Sequence, residues 1–132
     1  MLQPRNTKYR KQYKGRVAHF LLHQNNLQFG KCGLQALEPG YITARQIESA
    51  RQTIRRKLER KGKLWIHIFP NIPVTEKPTE VRMGKGKGNV SYWATRIPAG
   101  KLLFEIDGVS LTVAYNALRS AANKLPLRVI FR

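Results

Sequence analysis

The 132-residue chain holds 25 Lys and Arg against 7 Asp and Glu, a formal net charge of +18, with 42% apolar residues. That length and apolar content fit one domain with a packed core and exclude wholesale disorder. The charge points to a polyanionic partner, nucleic acid ahead of a membrane surface, while the lone Cys32 excludes an internal disulfide.

Residues 1–37 carry seven basic side chains and no acid; Glu38 is the first carboxylate. Arg5, Lys8, Arg10, Lys11, Lys14 and Arg16 interleave with Tyr9, Tyr13 and Phe20. Residues 1–26 therefore read as a basic arm, extended in isolation and ordering on RNA, its phenol rings stacking on bases or sugars. A merely solvated tail is the blander alternative. Leu27, Phe29, Leu34 and Leu37, set among Gly30, Gly33 and Gly40, then predict short strands and tight turns.

Thr43 with Gln46 three residues on predicts a capping box. Ile47, Ala50, Ile54 and Leu58 make one apolar stripe at helical spacing, with Gly62 as the stop. Arg45, Arg55, Arg56 and Arg60 point away from the stripe and, with Arg51, form a basic face. From Arg45 to Lys63 there are eight Lys and Arg offset only by Glu48 and Glu59. That excess repels itself unless something anionic lies alongside, so the face is assigned to RNA.

Residues 63–69 read as a strand apolar on both faces, hence central or covered, with Trp65 and Phe69 in the core and His67 a satisfied structural histidine. No helix or alternating strand is legible over residues 70–90. Pro70, Pro73 and Pro78 stiffen this stretch and R-M-G-K-G-K-G-N follows, predicting a projecting loop or extended hairpin. In it Arg82, Met83, Gly84, Lys85, Gly86, Lys87 and Gly88 combine close backbone approach with uninterrupted positive charge. Glu76 and Glu80 are expected to pair with Lys77 and Arg82.

Residues 92–97 and 101–106 are predicted as a hairpin through the Pro98-Ala99-Gly100 turn. A helix follows with Leu111, Ala114, Ala117, Leu118, Ala121 and Leu125 on one side, and residues 127–131 close as a strand. The sum is an α+β fold: a two-layer sandwich, two helices on a mostly antiparallel sheet of about five strands, in a single domain spanning residues 1–132.

Catalytic readings fail. The glycines sit two apart and lead into a strand, unlike a P-loop or a dinucleotide fingerprint. His19, His23 and Cys32 find no carboxylate before Glu38, too thin a set for zinc. With so few acids, neither a carboxylate pair nor a Ser–His–Asp set assembles. No enzyme, cofactor or metal is expected.

The segments M-L-Q-P-R-N-T-K-Y-R-K, F-G-K-C-G-L-Q-A-L, I-T-A-R-Q-I-E-S-A-R, G-K-L-W-I-H-I-F-P, V-T-E-K-P, R-M-G-K-G-K-G-N and K-L-P-L-R span nearly the whole chain. In that order they resemble the bacterial-type large-subunit ribosomal protein sixteen family. The resemblance implies a structural, rRNA-binding component of the large ribosomal subunit near the peptidyl transferase centre. Such a component shapes the aminoacyl-tRNA site and supports translation and late subunit assembly. It also implies that the loop from Arg82 to Gly88 lies nearest the aminoacyl- and peptidyl-site tRNAs, and that Lys8, Tyr9, Arg10 and Lys11 enter rRNA. In some bacterial members the motif arginine is hydroxylated, which here would be Arg82.

Neighbouring ribosomal proteins are expected partners; a membrane or a second copy is not. Val17 to Asn26, Ser110-Leu111-Thr112 and the stop at Arg132 depart from the family pattern and look more like organelle copies. The expected compartment is thus the mitochondrial matrix, with bacterial cytoplasm or plastid as alternatives. A free-standing RNA chaperone or regulator is the rival function.

Overall fold

The elements of the computed structural model, which describes residues 2–17 and 26–132, follow one another as β1 (Cys32–Ala36), β2 (Gly40–Thr43), α1 (Ala44–Lys57), β3 (Lys63–Ile66), β4 (Ile72–Glu76), β5 (Asn89–Ile97), β6 (Leu102–Asp107), α2 (Leu111–Ala122) and β7 (Val129–Phe131). This is an α+β fold, with two antiparallel sheets where one was expected. β3-β6-β1-β7 form the larger and β2-β5-β4 the smaller.

Both helices contribute to one core with the larger sheet. Ile47, Ala50, Ile54 and Leu58 of the α1 stripe meet Ala114, Ala117, Leu118 and Ala121 of α2, above Leu34, Phe104 and Ile106 of the strands. The alanines let the two helices approach closely. α1 starts where the sequence says: Gln46 N–H donates to Thr43 Oγ1 at 3.3 Å, and Thr43 N–H donates to Gln46 Oε1 at 2.9 Å. It ends before Gly62, however. Leu58 is the cap, and Glu59 and Arg60 take positive φ to turn the chain toward β3. On α2, Leu111 belongs to the exposed side, at 68%.

Three further expectations give way to long-range pairing. The turn at Pro98 to Gly100 exists, with Lys101 N–H donating to Pro98 C=O at 3.2 Å, but it closes no hairpin. Gly100 N–H donates to Ala36 C=O, Ala36 N–H to Lys101 C=O, and the buried Gln35 Nε2 to Gly100 C=O. The turn is thereby stitched to β1, and β5 and β6 enter different sheets. The second expectation concerns β3, which is an edge strand ending at Ile66 and not a central one; Trp65 is half-buried and Phe69 is 48% exposed. The third is the stretch after Pro70, where Ile72–Glu76 pairs with β5 as an edge strand. Pro73 is accommodated there because an edge position needs no ladder N–H on its open side.

Candidate nucleic-acid interface

β4 and β5 form the stem of a hairpin, and residues 77–88 form its tip. Gly88 sits where the strands close: a Cβ there would lie 2.4 Å from Glu76 C=O. Further out, Gly84, Lys85 and Gly86 all take positive φ, and the two glycines have open space around them. Lys77 Nζ donates to Gly84 C=O across the loop. Arg82, Met83 and Lys85 project from the tip, Met83 at 96% exposure. The expected carboxylate pairs are absent; Glu76 accepts from Ser91 Oγ at 2.9 Å, and among the described residues no ion pair joins it or Glu80 to Lys77 or Arg82.

Residues 2–17 adopt no helix or strand, yet they are tied down at both ends. Leu2 packs against the core. At the other end Lys11 Nζ donates to Lys87 C=O at 2.6 Å, and Lys87 Nζ donates to Gln12 C=O at 2.6 Å while lying 5.0 Å above the Tyr13 ring. Tyr41 of β2 and Arg96 of β5, register partners, grip the next residues. Arg96 donates through Nε to Lys14 C=O at 2.9 Å and through its terminal nitrogen to Tyr13 C=O at 3.2 Å. Tyr41 O–H donates to the carbonyls of Lys14 and Gly15, and Lys14 Nζ lies 4.5 Å from the Tyr41 ring centre. Residues 11–15 of the arm are thus held against β2, β5 and the loop. Arm and loop form one surface.

The chemistry of that surface is unusual. Lys11, Lys14, Lys87 and Arg96 are held by carbonyl oxygens and aromatic faces, and among the described residues none of them pairs with a carboxylate. Carbonyls and rings satisfy donors without cancelling charge. Gathered cations held in that way leave a concentrated positive field for an outside polyanion. Arg5, Lys8, Arg10 and Arg16 are exposed along the same arm, and Tyr9 stands beside Lys8 with 5.5 Å between ammonium and ring centre. Sequence reasoning missed Tyr41 and Arg96; a lone arginine in an otherwise uncharged strand was the available signal.

The α1 arginines line two grooves. Arg51, Arg55, Arg56 and Arg60 line a groove of about 400 Å³ with Gln52 and Glu59. Arg45, at the other end of the helix, lines a separate groove with Glu76 and Ser91. Arg51 is also engaged: it donates to both oxygens of Glu48, at 2.8 and 2.6 Å, and holds that carboxyl down at about 2. Arg55, Arg56 and Arg60 are exposed and make no ion pair among the described residues.

A second feature escaped sequence reasoning. Glu105, on β6, is fully buried and accepts three backbone hydrogen bonds, from Gln28 N–H at 3.0 Å and from Phe29 and Gly30 N–H at 2.7 Å each. Burial alone raises its pKa, but the three N–H donors and the facing His67 outweigh that and hold it below the ordinary carboxylate range. His67 Nε2 lies 3.0 Å from Glu105 Oε1 without hydrogen-bond geometry, so the contact is electrostatic and the expected satisfied histidine is not found. One acid inside the apolar run L-L-F-E-I was the clue.

His19, His23 and Phe20 lie outside the described residues. Among the described residues no cluster of three His, Cys, Asp or Glu is placed to hold a metal, and no helix is long and apolar enough to cross a membrane.

Comparison with known proteins decides the family. The profile of ribosomal protein L16p/L10e matches residues 4–132. The chain belongs to that family. Its relatives include three proteins named large ribosomal subunit protein uL16. Those of a Chelativorans species and of Mesorhizobium japonicum are 55% and 57% identical, each over 99% of this chain and 96% of the relative. That of Paracoccus denitrificans is 55% identical over 100% of this chain and 98% of the relative. All three L16p/L10e relatives are bacterial, so the organelle preference drawn from Val17 to Asn26, Ser110-Leu111-Thr112 and Arg132 finds no support among them.

Proposed function

We propose that this chain is a structural, non-catalytic constituent of the large ribosomal subunit that binds large-subunit rRNA and contributes to translation. In this reading Arg5, Lys8, Arg10, Lys11, Lys14 and Arg16 of the arm and the groove arginines of α1 neutralise rRNA phosphates, and Tyr9 stacks on bases or sugars. The tip, Arg82 through Gly88, lies against tRNA at the aminoacyl site and its peptidyl-site neighbour. The compartment is that of a bacterial-type ribosome, with other large-subunit proteins as neighbours.

The observation that carries the reading is the arm–loop clasp, in which four cations converge on carbonyls and rings with no carboxylate among them. Its affinity for rRNA rests on counterion release, with roughly 0.7–0.9 log units lost per phosphate contact for each decade of salt. Sucrose-gradient sedimentation tests it: a tagged chain expressed in its own cells stays with the large subunit through a moderate-salt wash. Recovery only in the free fractions would favour the free-standing RNA chaperone and overturn the ribosomal assignment.

A further inference from the structure

Phe29 is 60% exposed, although its own N–H and those of Gln28 and Gly30 are all fixed on the buried Glu105 carboxylate. Committing a buried charge to one surface turn costs desolvation, which the three charge-assisted bonds must offset. The ring itself lies nearly parallel to two others of β3 and its extension. Its centroid is 5.9 Å from Trp65 at 22° and 5.9 Å from His67 at 9°. Phe29 is thus ring-stacked on this edge while most of the residue stays open to an outside partner.

Lys31, two residues beyond Phe29, and Lys63, two residues before Trp65, are both exposed. Asp107, half-buried, lies opposite Lys63 in the β3–β6 register. A flat, pre-oriented aromatic face flanked by cations suits a nucleobase with its phosphates, since every base presents a π-face and stacks without a sequence requirement. An apolar patch of a neighbouring protein would instead have to desolvate both lysines.

We infer that the exposed ring of Phe29 is a stacking platform for an unpaired base of large-subunit rRNA, with Lys31 and Lys63 beside its phosphates. This rests on the ribosomal reading and adds a base contact away from the arm and the loop.

The test measures binding of the full chain to protein-free large-subunit rRNA across a salt series, for wild type, Phe29→Leu and Phe29→Trp. Phe29→Leu should weaken binding roughly 5- to 100-fold while leaving the slope of log affinity against log salt unchanged, because the ring neutralises no phosphate. Phe29→Trp should bind like wild type, with its added indole emission quenched by the stacked base, and this variant reports even where Phe29→Leu fails to fold. Wild-type affinity in Phe29→Leu, or unquenched emission in Phe29→Trp, overturns the platform. Normal rRNA binding by Phe29→Leu combined with its loss from assembled subunits would give the face to a protein neighbour, also overturning it. A wild-type chain with no salt-dependent rRNA binding would instead bring down the ribosomal reading itself.

Discussion

Replacing Glu105 by Gln changes one atom and should cost this domain a large part of its stability. Oε2 accepts from Phe29 and Gly30 while Oε1 accepts from Gln28 and faces His67. Whichever way the Gln amide turns, its NH2 group meets an N–H donor, either that of Gln28 or the pair from Phe29 and Gly30. At least one backbone donor is then orphaned against a like dipole, a loss of about 2–4 kcal/mol. Out of a total on the order of 5–15 kcal/mol, that lowers the melting temperature by roughly 10 °C.

The pH dependence gives a second, sharper reading. Glu105 is held below its ordinary value of 4.5 in the folded chain. Its contribution is therefore complete above the unfolded pKa and fades as pH falls through the depressed folded value. The gap in melting temperature between wild type and Glu105→Gln, followed by circular dichroism, is widest near pH 6 and narrows steadily below about 4.5. Glu48 titrates equally in both proteins and cancels from the difference. An unchanged melting temperature in Glu105→Gln, or a gap that stays constant from pH 6 to pH 3, would refute the argument.

Lys87→Met removes the bond to Gln12 and the contact with the Tyr13 ring. Chymotryptic cleavage after Tyr13 should accelerate roughly 5- to 50-fold with the melting temperature nearly unchanged, while Lys85→Met leaves cleavage as in wild type. Gly88→Ala places a methyl group against Glu76 C=O and should destabilise the hairpin by about 2–4 kcal/mol in thermal melts. Lys85→Glu should leave the fold intact but impair subunit maturation or tRNA accommodation, seen as depleted large-subunit and whole-ribosome peaks in gradients; unchanged peaks and translation would remove Lys85 from the interface. Thr43→Ala should cost about 1 kcal/mol through loss of the capping box, measured by urea denaturation.

What was legible in the sequence is what short-range chemistry fixes. The start of α1 needs only Thr43, Gln46 and a periodic stripe, all within a few residues of one another. The glycine-rich tip was readable for the same reason, since positive φ at Gly84 and Gly86 is a local demand. Strand partnership was not local. Gly100 is bound to Ala36 across 64 positions of chain, and nothing near Pro98 distinguishes a hairpin turn from a crossover between sheets. Pro73 hid β4 because a proline argues against a strand until its edge position is known. Of the interface, composition marked the basic residues individually. Lys11 with Lys87 and Tyr41 with Arg96 become partners only once the sheets bring residues 11–15 and 87–96 together.

Lys11 donates to the main chain of Lys87 and Lys87 to that of Gln12, so the shape of this end of the molecule is settled when the domain folds. Few torsions remain to be frozen at encounter, which spares association much of its usual entropic penalty. Capture by a negatively charged scaffold can then run near the limit set by diffusion and field, without waiting for a slow rearrangement.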